Sequence, residues 1–248
     1  MKKKISAISA LHYAKLTARS MLFLSVLIFY ILNKLSVLEN FVPLLTAVWI
    51  FFVVEMIIRF FPSKLESMGC QKQFKRNYIP REDATEPKKQ PAKVTALVAT
   101  LWLALNAIIG ALYLFGIIDT GIVILVCLAF SICDIICILF FCPFQTWFMK
   151  NRCCTTCRIY NWDFAMMFTP LIFVPSLYTY SLLFCAILLL LRWEITYRLH
   201  PERFYPETNK CLDCSNCKEK LCSHKKQLQG FLKKYTKKFF NIKKLPWK

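Results

Sequence analysis

The sequence predicts an all-α, polytopic integral membrane protein: four transmembrane helices, a proline-broken fifth hydrophobic segment, and a cysteine-rich cytosolic loop and tail. Three observations carry this. The chain is 57% hydrophobic over 248 residues yet has a formal net charge of +19, so apolar and basic residues must be segregated along it. The apolar runs have the lengths that a bilayer core of about 30 Å demands. The 33 lysines and arginines collect in the stretches between those runs in a pattern that sorts to one side.

Five apolar segments can be marked: 20–32, 41–58, 94–115, 121–141 and 164–191. The second, third and fourth are long enough to span. The first is short, but it extends toward Tyr13 if Lys15 and Arg19 snorkel their long stems to the interface. No small-residue cleavage site follows it and a second span comes soon after, so it reads as a span rather than a signal peptide. The fifth segment is too long for one straight span and too short for two. It carries Pro170 and Pro175 in "FTPLIFVPSLYTY", where the missing N–H and the ring clash predict a break.

Charge decides how that fifth segment is read. If all five segments cross, the two sides receive 17 and 16 basic residues, which is no bias. If four cross and the fifth enters and returns on one side, 32 of the 33 fall together. Cytoplasmic flanks are rich in Lys and Arg, so four spans with both termini cytoplasmic in the cell membrane are expected, with 164–191 re-entrant. A fifth true span is the alternative, since 176–191 continues through "RWEITYRL" as a tilted helix.

The organisation that follows is a helical hairpin at 1–58, a basic cytosolic linker at 59–93, a second hairpin at 94–141, and a cysteine-containing loop at 142–163. The proline-broken segment occupies 164–200, a metal-site segment 201–224 and a basic amphipathic tail 225–248. The linker is polar, basic and punctuated by proline. Asp163 is expected as the N-cap of the run after it, and Trp193 and Tyr197 as an interfacial aromatic belt. In the tail, Leu228, Phe231, Leu232, Tyr235, Phe239 and Ile242 form an apolar stripe against Lys233, Lys234, Lys237 and Lys238. Such a helix lies on anionic lipid, and the stripe argues against nucleic acid as its partner.

Two polar features sit within the spans. Asp134, on the fourth span, shares a helical face with Cys127, Ser131 and Cys137. An ionisable group at mid-membrane turns inward to a partner, and Asn106 on the third span is the expected one, as a structural hydrogen bond or as part of a transport path. Glu55 and Arg59 read as an i,i+4 ion pair. The other cysteines of the spans, with Cys70 and Cys185, read as small hydrophobes.

The remaining cysteines, of 13 in all, form two clusters: "CCTTC" at Cys153, Cys154 and Cys157, and "CLDCSNCKEKLC" at Cys211, Cys214, Cys217 and Cys222. A CxxC turn brings two thiolates to one metal, and its amides hydrogen-bond to the sulfurs. In a reducing cytosol clustered cysteines are ligands rather than disulfides. The spacing CxxCxxCxxxxC resembles the CxxCxxCxxxC run of bacterial ferredoxins, over twelve residues only, with one extra residue in the last gap and Ser223 where those runs carry proline. The resemblance implies a 4Fe-4S cluster. Zinc is the alternative, with His224 as a further ligand and Cys154 with Cys157 as one knuckle. Lys210, Lys218 and Lys220 would offset the charge of a tetrathiolate.

The expected function is therefore a membrane-anchored metal-binding protein, an iron–sulfur redox or electron-transfer component working with a membrane partner. The alternatives are a zinc-stapled scaffold or assembly subunit, and a small transporter using Asp134 and Asn106. No GxSxG elbow, HExxH or phosphate-binding glycine loop is present, so any enzyme activity would have to come through the metal.

Overall fold

The computed structural model describes residues 6–33, 42–64, 66–86, 91–149, 151, 153–217 and 219. Within these the chain is helical, and its one β-type contact is the bridge between Pro80 and Asn209. Four helices are long and apolar enough to cross a membrane: α1 (Ala7–Asn33), α2 (Val42–Arg59), α4 (Ala92–Leu114) and α5 (Thr120–Leu139). The short α3 (Met68–Gln71) lies between α2 and α4. The first helix begins well before the apolar run, as its extension toward Tyr13 required. Leucines and isoleucines such as Leu101, Leu103, Leu105 and Ile108 are exposed along α4, a pattern compatible with a membrane-crossing helix.

Helices α4 and α5 are joined by a tight turn. The backbone N–H of Ile117 bonds to the Leu112 carbonyl and that of Gly116 to Tyr113, with Gly116 at φ +70°. This is a Schellman closure, which needs a left-handed residue and so a glycine. Asp119 then starts α5 by accepting a hydrogen bond from the Ile122 N–H at 2.9 Å.

The fifth hydrophobic segment breaks at its prolines and forms a hairpin. Its first arm is α6 (Asp163–Phe168) running into a 3₁₀ turn, Thr169–Phe173. Val174 is forced into extended backbone ahead of Pro175, and Ser176 is extended after it. The hydroxyl of Thr179 closes this tip on the carbonyls of Val174 (2.6 Å) and Ser176 (2.9 Å). The return arm is α7 (Leu177–Leu199).

The contacts fix the direction of each arm. Asp163 pairs with Arg59 at the end of α2, whereas Phe173 lies against Gly110 near the far end of α4. From there α7 runs beside α2 in the same direction. Tyr178 meets Thr46, the Trp49 indole donates to Ser181, and Arg192 reaches the carbonyl of Phe60. The segment therefore forms a hairpin that enters and leaves at one end of the bundle. Asp163 is the first residue of α6 rather than its cap, because its carboxylate is taken by Arg59.

The stretch expected as a linker departs from that reading. Residues 62–64 and 66–81 fold into a cap in which Glu66, Ser67, Cys70, Gln71, Lys72 and Phe74 are buried. Ser67 caps α3, and the Gln71 amide oxygen accepts from the Ser63 N–H at 2.9 Å. The polar composition that suggested a linker reflects side chains that bond to segments arriving from elsewhere. Trp193 is likewise fully buried rather than interfacial: it donates to the Arg158 carbonyl and packs edge-on to Phe204.

Candidate functional site

Two polar constructions occupy the basic end of the bundle, one inside the helices and one in the cap. The inner one centres on Arg19, which has no exposed surface. Its guanidinium donates to Glu55 at 2.7 Å, to the Ser131 carbonyl at 2.7 Å and to Asp134 at 3.2 Å. The rings of Phe52 and Phe164 lie within cation–π range. Lys15 bridges Glu55 (3.4 Å) to Glu66 (2.9 Å), which ties the helices to the cap. Arg59 turns the other way, to Asp163 at 2.5 Å.

Three expectations are corrected by this network. Arg19 does not snorkel; it is drawn inward, where Asp134 would otherwise be unpaired and Glu55 would have Lys15 alone. Asp134 pairs with Arg19 and not with Asn106, whose amide donates to its own helix at the Trp102 carbonyl, 2.9 Å away. Glu55 and Arg59 are not paired with each other, because each finds a partner on another element.

The outer construction joins the cap to both cysteine segments. Lys72 is fully buried and donates to the carbonyls of Thr155 (2.8 Å) and Cys157 (2.9 Å), while the rings of Trp193 and Phe204 face its amine. Burial lowers its pKa to about 7, against the opposing pull of Cys157 and Cys153. The Cys211 segment docks through Asn209, also fully buried, which accepts from the Cys211 N–H and donates to the Arg203 carbonyl. Lys210 N–H bonds to Ile79, and Arg203 reaches the Gln73 carbonyl. Glu219 closes the assembly. Its carboxylate accepts from Ser67 and the Met68 N–H, and its carbonyl from Ser6 and Ser9 of the N-terminal helix region. Burial pushes the Glu219 carboxyl up to about 7 despite those donors. For Glu66 burial acts in the same direction, but Arg59 and Lys15 outweigh it and hold the carboxyl below its usual range.

The two cysteine segments thus lie at one end of the bundle, and each contains a closed CxxC turn: Cys157 N–H to the Cys154 carbonyl at 2.9 Å, and Cys217 N–H to Cys214 at 3.4 Å. Their sulfurs are differently placed. Cys154 donates to Gln145 at 2.8 Å, Cys153 lies 3.0 Å from the Thr155 hydroxyl, and burial pushes the Cys157 thiol up to about 11. Cys211 and Cys217 are partly exposed and Cys214 is exposed. Among the described residues, no three Cys, His, Asp or Glu side chains converge as metal donors, and no disulfide is formed. Cys222, His224 and the amphipathic tail lie outside the described residues.

A cavity of about 140 Å³ opens between α4, α5, α6 and the cysteine loop. It is lined by Asp134 and by an unusual number of sulfurs, including Cys137, Cys142, Cys154, Cys157, Met166 and Met167. Asn106 is not in its wall. The sequence reading left Cys137 and Cys142 as membrane hydrophobes; the signal in the sequence was their position on either side of the end of α5. Comparison with protein-family models, with curated proteins and with solved structures finds no match.

Proposed function

We propose that this is a multi-pass membrane protein whose basic end faces the cytoplasm and carries a cysteine-ligated metal, and that the metal is zinc acting as a structural staple between the Cys153 loop and the Cys211 segment. The observation that carries this reading is the pair of closed CxxC turns, Cys154–Cys157 and Cys214–Cys217, held at the same end of the bundle by the same cap. Two separated knuckles are the usual way four thiolates surround zinc. Loading would require Cys154 to leave Gln145 and the thiols to release their protons, which couples binding to pH. The protein is then a scaffold or assembly subunit, its tail set on anionic lipid.

The second reading is an iron–sulfur redox component passing electrons to a membrane partner. It rests on the run from Cys211 to Cys222, whose tight spacing suits a cubane cluster. A transport reading has support from Asp134, which borders the cavity, and none from Asn106. Anaerobic purification followed by metal and acid-labile sulfide analysis separates the first two. One equivalent of zinc with a featureless visible spectrum, lost in Cys154→Ser and in Cys214→Ser, supports the staple. Iron with matching sulfide and a broad visible band supports the cluster. Protein that is monodisperse, active in no metal uptake and unchanged by both substitutions would sink both.

A further inference from the structure

We infer that the cavity beside α5 holds a second metal site, distinct from the CxxC turns, in which Cys137 and Cys142 bind a soft d¹⁰ divalent cation of the mercury(II) kind through two sulfurs in a linear arrangement. Both side chains border the same cavity, and Cys142 is the group that acts most strongly on the Cys137 thiol. Helix α5 ends at Leu139, and the N–H groups of Phe140 and Phe141 both bond to the Ile136 carbonyl, so the chain turns off the helix just before Cys142 and Pro143. The pair borders the 140 Å³ cavity, whose wall also holds Cys154 and Cys157 of the first CxxC turn and the thioethers of Met166 and Met167. Thiolate and thioether surroundings select soft ions over zinc's harder competitors. Two adjoining thiols are a complete donor set for a metal content with two ligands.

Charge selects the valence. The carbonyl end of α5 and the nearby Asp134 both oppose added negative charge at this place. A monovalent ion with two thiolates leaves a net negative complex in an apolar cavity, which is costly. With a divalent ion, two S–H bonds break, two protons go to solvent, two metal–sulfur bonds form, and the complex is neutral. No oxidation is involved.

The test uses full-length, reduced protein in detergent with mercury(II) chloride as probe, a small-molecule thiol in excess to strip weak sites, and native mass spectrometry to count retained metal. Wild-type protein should retain one mercury more than the double variant Cys137→Ser/Cys142→Ser, and each single variant should behave as the double. Cys133→Ser, whose side chain is exposed on the same helix, should match wild type. Iodoacetamide labelling read by peptide mass should show Cys137 and Cys142 lost together when mercury is added. Silver(I) in the same assay should be stripped by the competing thiol. Equal retention by wild type and the double variant overturns the proposal, as does protection confined to Cys211, Cys214 and Cys217. If the serine variants misfold, Cys142→Ala is used instead, and retention unchanged in that variant is equally fatal.

Discussion

Arg19 and Lys72 are both cations with no exposed surface, and they are stabilised in opposite ways. Arg19, among the membrane helices, is held by two carboxylates and a carbonyl. Lys72, in the cap, has two carbonyls and two aromatic faces but, among the described residues, no carboxylate within bonding distance. The difference follows from chemistry. A guanidinium stays charged at any accessible pH, so its burial demands anions, and its fork can serve two at once. An ammonium can shed its proton, so carbonyls and ring faces suffice.

Breaking the Arg19 side of this comparison should cost most. Arg19→Met leaves Asp134 without its partner and Glu55 with Lys15 alone, a loss of about 3–5 kcal/mol that should abolish a cooperative thermal transition in detergent. Adding Glu55→Gln and Asp134→Asn to that variant should recover most of the transition, since neutral partners no longer need a cation. Arg19→Lys, a point charge in place of a fork, should fall between.

Lys72→Met should be milder, about 1–3 kcal/mol, because the carbonyls of Thr155 and Cys157 lose a donor while packing on Trp193 and Phe204 is kept. Hydrogen exchange at 153–157 reads it. Its pH dependence has a definite sign. The folded-state pKa is near 7 and the ordinary lysine value is 10.5, so between them the unfolded chain holds a proton that the folded one does not. Docking of the loop should therefore strengthen as pH rises from about 7 toward 10.5, stay flat below, and lose this dependence in Lys72→Met.

The smallest expected effect lies away from both cations, where the hairpin tip meets α4. A Cβ at Gly110 would sit 2.1 Å from the Phe173 ring, so Gly110→Ala must displace the ring. Its end can swing, which places the cost near the lower end of overpacking, about 1 kcal/mol. Phe173→Ala in the same chain should relieve it, measured as thermal stability of the pair against the single variants.

Much of the membrane layer was legible in the sequence. Apolar run length located the four helices, and Pro170 and Pro175 announced the hairpin. The lopsided lysines and arginines anticipated that both of its ends lie together. What failed was pairing. Glu55 and Arg59 are neighbours by helical spacing, and Asp134 and Asn106 by depth, yet the partners chosen were Arg19, Lys15 and Asp163, set by helix rotation and by chain far away in sequence. Periodicity carries no record of such contacts. The cap was missed for a related reason: its polar residues read as solvated until Asn209, Arg203 and the Cys157 carbonyl are brought to them. The CxxC turns were visible as spacing, but the meeting of Cys137 with Cys142 depends on where α5 stops.

The hairpin at 163–199 has a consequence for biogenesis. Because it starts and finishes at the basic end, nothing heavily charged has to be carried through the bilayer during insertion. With that end cytoplasmic, as proposed, the translocated pieces are the connections at 34–41, 115–119 and 174–176, whose charged residues are Lys34, Glu39 and Asp119. Each can be pushed across at the tip of a helical pair as that pair leaves the ribosome. On that proposed orientation the cap and both cysteine segments stay on the cytoplasmic side.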